Sequence, residues 1–270
     1  MKVYFRLAKL FEMNKILSLL ILLYTGFTFA QSTEKLSYSV DGKPFLGFVA
    51  KPAKITKKTK TILIVHEWWG LNEYPKSRAE QLAKEGFIAI CLDMYGENIV
   101  VNTPPEAMKL SGEIYADPSL LYKRFDAGYQ AAMGVKGVNK NLVAAIGYCF
   151  GGNVVLNAAK QGANLDAVIS FHGGLKGAPL EKGKLKAAVL VCNGAADKFV
   201  PQSEIDEFNK QMKENNADYT FINYADATHA FTNPNSTEVG KKFSLPIAYN
   251  EVADKKSYAD FLRFVAKKVK

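Results

Sequence analysis

The hexapeptide Gly147-Tyr148-Cys149-Phe150-Gly151-Gly152 constrains this chain more than any other stretch. The apolar, strand-like run Leu142-Val143-Ala144-Ala145-Ile146 leads into it, and the helix-like run from Asn153 to Ala159 leaves it. Glycine, any residue, a nucleophile, any residue, glycine, placed at a strand-to-helix turn, lifts one side chain above a sheet. Cysteine stands here where serine usually does. The turn strains its central residue, and Gly147 and Gly151 relieve the crowding so that helix and strand can pack together. A helix N-terminus beneath Cys149 would favour a thiolate. The same spacing taken alone also describes a buried structural cysteine in an ordinary strand–helix turn, so the surrounding chain has to decide.

That surrounding chain alternates strands and helices. Residues 36–50 alternate in polarity around Asp41-Gly42-Lys43, a hairpin with a D-G turn. Thr61 to Val65 is a continuous apolar strand, residues 75–85 form a helix stopped by Gly86, and Phe87 to Leu92 is the next strand. Residues 96–116 are expected to be irregular, a candidate lid. Asp117-Pro118 caps a helix carrying Leu121, Phe125, Tyr129 and Ala132 on one face. Beyond the hexapeptide come buried strands over 167–171 and 187–191. A helix after Pro201 turns Ile205, Phe208 and Met212 inward, and a last strand spans 219–224. A C-terminal helix sets Tyr258, Phe261, Leu262, Val265 and Val269 on one face. This order predicts an α/β fold: a mostly parallel central sheet with helices on both faces, in a single domain over 31–270. Such sheets bind ligands at the carboxyl ends of their strands.

The chain of 270 residues is 48% hydrophobic and 23% charged, a globular composition. Its net charge is +9. The first thirty residues carry Lys2, Arg6, Lys9 and Lys15 against Glu12, so the remainder holds 31 basic and 25 acidic residues, or +6. Those cations are scattered in small clusters such as Lys57-Lys58 and Lys267-Lys268, without the aromatic interleaving of a nucleic-acid surface. Asn14-Lys15, the apolar run Ile16 to Leu23 and the small-x-small site Thr28-Phe29-Ala30 read as a signal peptide over residues 1–30, cleaved before Gln31. The expected destination is the periplasm or the outside, with no stable membrane insertion after cleavage. A retained anchor is the competing reading, and Met13 competes with Met1 as the start. Three cysteines leave at least one thiol free. Cys91 and Cys192 lie in apolar runs and read as packing residues, with a bridge between them left open.

A thiol nucleophile needs a base, and the base an orienting acid. Asp197 lies in a loop after one expected strand, and His229 in a loop after the last. Nucleophile, acid and histidine then follow in the order of an α/β-hydrolase. His66 and His172 compete as bases. His66, however, opens His66-Glu67-Trp68-Trp69-Gly70 at a strand end, where an oxyanion loop belongs. The backbone N–H groups of Trp68 and Phe150 are the candidate oxyanion donors. His172, in His172-Gly173-Gly174, comes too late for that role and reads as a wall or packing residue. Three dispersed histidines offer no metal-ligand spacing, and the chemistry requires no cofactor.

His66 to Gly70, Gly147 to Gly152, Gly194 to Asp197 and His229-Ala230-Phe231 together resemble the dienelactone hydrolase family of α/β-hydrolases. The resemblance implies that Cys149 attacks an ester or lactone carbonyl, and that His229 and Asp197 complete the triad. It implies also that Glu67 contacts the resting thiol. The family's namesake enzymes hold a substrate carboxylate with two arginines. One follows a motif that looks like Asp93-Met94-Tyr95, but Gly96-Glu97 follows here; the other lies four residues past the histidine, where this chain has Asn233. Trp68, Trp69, Tyr95 and Phe231 are expected to line an apolar pocket, with Glu97 repelling a carboxylate and Lys198 the basic residue that could hold one. The expected activity is an exported carboxylic-ester or lactone hydrolase with an acyl-cysteine intermediate and a small-molecule substrate. The alternatives are a non-catalytic binding protein on the same fold, a true carboxylated-dienelactone hydrolase, and a thiol redox protein, which would lack a resolving cysteine.

Overall fold

Asp41 and Gly42 both take positive φ, 51° and 78°, as a two-residue type I′ turn requires. They join β1 (Ser32–Val40) to β2 (Lys43–Lys51) as the expected antiparallel hairpin. The protein is described by a computed structural model over residues 31–270; the expected signal peptide, residues 1–30, lies outside the described residues. The chain continues with β3 (Thr61–Val65), α1 (Glu73–Lys84), β4 (Ile88–Leu92), α2 (Pro104–Ala116), α3 (Pro118–Met133) and β5 (Val143–Tyr148). Next come α4 (Phe150–Lys160), β6 (Ala167–Phe171), β7 (Ala188–Gly194), α5 (Gln202–Glu214), β8 (Tyr219–Tyr224), α6 (Ser236–Phe243) and α7 (Glu251–Lys268).

One eight-stranded sheet runs in the order β1-β2-β4-β3-β5-β6-β7-β8, antiparallel at β1-β2 and β2-β4 and parallel elsewhere. Because β3 sits between β4 and β5, the chain leaves it toward one edge and later resumes on its other side. That reversal opens a crevice above the carboxyl ends of β3 and β5. The central strands are buried on both faces, as their unbroken apolar runs require. Successive side chains alternate between two cores. Leu63, Val65, Ile90, Leu92 and Val189 join Phe125, Val155 and Phe208 on one side. Ile62, Ile64, Ile146, Ile169 and Leu190 join Leu82, Phe261 and Val265 on the other. Cys91 and Cys192 belong to this second core, and both are free thiols. They stand on strands four places apart, about 19 Å at sheet spacing, far beyond the reach of a disulfide.

Two stretches differ from expectation. Residues 104–116, read as irregular, form α2, with Ala107, Ser111 and Ile114 turned inward. Pro104 and Pro105 obscured it, but proline is tolerated in a helix's first turn, where its missing N–H has no partner to lose. Helix α6 was also unforeseen. It buries only Ser236 and Gly240, too little apolar pattern to read.

Candidate active site

The turn after β5 brings the chain round so tightly that only glycine fits beside it. A Cβ on Gly147 would lie 1.9 Å from the Gly151 carbonyl oxygen, and one on Gly151 would lie 2.2 Å from that of Val65. Cys149 sits between them at φ 53°, ψ −115°, a region L-residues seldom occupy, so the surrounding structure over-determines its position. It forms the N-cap of α4, whose N-terminal dipole favours negative charge on the sulfur.

Two further strand ends supply its partners. Asp197, whose amide donates to the Gly194 carbonyl, follows β7; His229 follows β8. The Cys149 Sγ lies 3.0 Å from His229 Nε2, and His229 Nδ1 lies 2.8 Å from Asp197 Oδ2. Asp197 also accepts from the Phe199 amide at 2.8 Å, which holds the carboxylate in place. The His229 side chain is only 12% exposed. Burial alone would depress its basicity, but negative charge on Cys149 and the bonds to Asp197 and the thiol outweigh it and raise the imidazole to about 10. The three residues singled out by their order in the chain therefore meet in one relay.

The competing histidines are engaged elsewhere. His66 is fully buried, with Nδ1 2.5 Å from the Glu67 carbonyl oxygen and Nε2 accepting from the Met94 amide at 3.1 Å. His172 Nδ1 accepts from the Cys149 amide at 3.1 Å, and its Nε2 lies 2.8 Å from Thr232 Oγ1. Burial lowers the basicity of both. The amides of Trp68 and Phe150 have no acceptor among the described residues.

Glu67 lines the same cavity as Cys149, but the contact that the resemblance implies is not a hydrogen bond to the resting thiol. Its Oε2 accepts from Asn233 Nδ2 at 2.7 Å, and no hydrogen bond joins it to Cys149. Burial pushes its carboxyl up to about 7, against the lowering pull of Asn233, His229 and Arg78.

The crevice is a cavity of about 460 Å³ containing Cys149, His229 and Glu67. Trp68 and Trp69 line it as expected, their rings 5.0 Å apart, with Phe243 of α6 behind Trp69 at 6.3 Å. Tyr95 and Phe231 do not line it. Tyr95 is buried and donates its hydroxyl to the Trp68 carbonyl at 2.8 Å. Phe231 is fully buried and packs edge-on against His172 at 5.2 Å. Each sits one step too deep, supporting the lining rather than forming it. Glu97 and Lys198 are also absent from the lining. Residues that the sequence did not assign to the pocket complete the walls: Tyr115, Leu121, Leu245 and Ile247 as largely apolar surface, and Asn153, Asn157, Lys176 and Glu204 as polar groups. Asn153 and Asn157, four apart on α4, could have been read as one helix face beyond Cys149. The others are scattered through the chain and share no pattern.

The sequence profile of the dienelactone hydrolase family matches residues 45–269, most of the chain. The chain belongs to the dienelactone hydrolase family. A similar structure is that of a dienelactone hydrolase-like promiscuous phosphotriesterase, P91, from metagenomic libraries, at 27% identity and TM-score 0.82, covering 89% of this chain and all of that one. A structure titled m3DLH is 26% identical with TM-score 0.85 over the same shares. A protein of Aquifex aeolicus named "Putative carboxymethylenebutenolidase" is 27% identical over 76% of this chain and 90% of its own length. This dienelactone hydrolase family member has the α/β-hydrolase fold and is a carboxylic-ester or lactone hydrolase.

Proposed function

We propose that the protein hydrolyses neutral carboxylic esters or lactones through an acyl-cysteine intermediate. The observation that carries this is the relay of 3.0 and 2.8 Å linking Cys149, His229 and Asp197 above the tight turn after β5, the elbow of the fold. Cys149 Sγ attacks the substrate carbonyl carbon, forming a C–S bond and pushing the π electrons onto oxygen. The Trp68 and Phe150 amides receive that oxyanion. Its collapse breaks the C–O bond, and His229 gives a proton to the leaving oxygen. Water then attacks the thioester, His229 takes the water's proton, and the carboxylic acid departs as the thiolate re-forms. Asp197 holds the imidazole in orientation throughout.

Neutrality is supported by the absence of an arginine from the cavity lining and by the two buried carboxyl groups there, Glu67 and Glu204. The test is turnover of a simple aryl ester. Cys149→Ala should lose at least about 10³-fold in kcat while keeping its melting temperature within a few degrees, and stoichiometric alkylation of Cys149 should abolish activity. An intact rate in Cys149→Ala would overturn the mechanism.

A further inference from the structure

The relay delivers the nucleophile but does not aim the oxyanion donors. One of them belongs to the Glu67–Trp68 peptide, whose conformation is set from behind. Every described peptide bond is trans, so the Glu67 carbonyl and the Trp68 N–H point in opposite directions. The Glu67 carbonyl faces His66 Nδ1 at 2.5 Å and also accepts from the Gly70 amide at 3.2 Å. The next carbonyl, that of Trp68, is held by the Tyr95 hydroxyl at 2.8 Å. Both carbonyls flanking the Trp68 Cα are therefore anchored, while Trp68 itself lines the cavity.

The tautomer of His66 follows from its other bond. Nε2 accepts the Met94 N–H at 3.1 Å, so it carries no proton, and the ring proton lies on Nδ1, ready to donate to Glu67. The ring is locked: edge-on to Tyr95 at 4.9 Å and stacked on Phe150 at 5.7 Å with 27° between planes. Phe150 supplies the other candidate donor, so a single buried ring braces both sides of the oxyanion site.

We propose that His66 is a positioning residue for hydrolysis: protonated on Nδ1 alone, it pins the Glu67 carbonyl and thereby aims the Trp68 N–H at the oxyanion. The inference rests on the acyl-cysteine reading above. It is tested by a pair of substitutions that divide the ring's two functions. His66→Asn keeps an amide donor at the place of Nδ1; His66→Gln reaches the place of Nε2 and loses the nearer donor. In His66→Asn, kcat should stay within about fivefold of wild type. In His66→Gln and His66→Leu it should fall about 10²-fold at unchanged KM, the cost of one mis-set oxyanion donor. Alkylation of Cys149 by iodoacetamide, which builds no oxyanion, should proceed at the wild-type rate in all three. Equal loss in the asparagine and glutamine variants, or a loss that follows melting temperature, would overturn the proposal, as would slowed alkylation. Should the variants not fold, nitrogen-15 NMR of the wild-type ring decides the matter: the Nδ1–H tautomer is required, and an Nε2–H or doubly protonated ring refutes it. Failure of the acyl-cysteine reading is distinguishable, since it appears in Cys149→Ala whatever His66 does.

Discussion

Glu67 carries a charge problem that its neighbours only partly solve. Its carboxyl is almost wholly buried, and where the family's namesake enzymes have an arginine, Asn233 offers it an uncharged amide. A neutral donor stabilises a buried carboxylate less than a cation would, so burial prevails and the group rises from an ordinary 4.5 to about 7. A raised value means that the folded protein binds this proton more tightly than the unfolded chain. The associated stability is complete below pH 4.5 and is lost as pH climbs through about 7. Glu67→Gln removes the titration while keeping an oxygen for Asn233. Urea denaturation should find the variant more stable than wild type at pH 8, by on the order of 3 kcal/mol, and equal to it at pH 4. Parallel pH profiles for the two proteins would contradict the assignment. Cys91 and Cys192 are the opposite kind of residue: burial raises both thiols, Cys192 to about 12, and keeps them unreactive.

At the scale of elements, the make-up of the pocket walls supports the proposed preference for neutral substrates. Helices α2 and α3 contribute Tyr115, Pro118 and Leu121, which are apolar surface or a ring. Helix α4 contributes Asn153 and Asn157, whose amides are already bound to the segment that follows β6. Asn153 donates to the carbonyls of Gly174 and Lys176 at 2.9 and 2.6 Å, and Asn157 accepts from the Ala178 amide at 2.7 Å. Glu204 of α5 accepts from the Leu175 and Lys176 amides. Lys176 is the lysine of the lining, and its ammonium lies out in solvent, 3.7 Å from Glu204. An exposed lysine beside a carboxylate is a weak substitute for a bidentate arginine. Of a matched pair of esters, the neutral member should therefore have the higher kcat/KM, by roughly ten- to a hundredfold. Preference for the carboxylated ester would identify Lys176 as a working anchor, and Lys176→Ala would then remove that preference.

For the whole molecule, the site is assembled from the ends of β3, β5, β7 and β8, residues as far apart in the chain as Glu67 and His229. No single unit can hold it, and the parallel sheet with its two cores supplies the rigidity. Among the described residues no helix is long and apolar enough to cross a membrane. We propose that the protein is exported and that its mature form begins at Gln31, on the strength of the apolar run ending at Thr28-Phe29-Ala30. Mass spectrometry of the protein from its native host should find that N-terminus; a species in the membrane fraction that retains residues 13–30 would point to an anchor.

Local chemistry made much of this legible. The elbow was readable because a tight strand-to-helix turn demands glycine at Gly147 and Gly151, and steric exclusion leaves its mark on composition. The sheet strands were readable because burial on both faces demands continuous apolar runs. Asp197 and His229 followed from their place after such strands. Depth was not readable: Tyr95 and Phe231 look like pocket residues in sequence, yet packing sets them behind the wall, because an aromatic ring serves equally well as lining or as support. Nor could the chain alone pair Asn233 with Glu67, 166 residues away, or turn His66 onto the Glu67 carbonyl. Hydrogen-bond partners depend on distance and direction between elements, and only the folded sheet sets those.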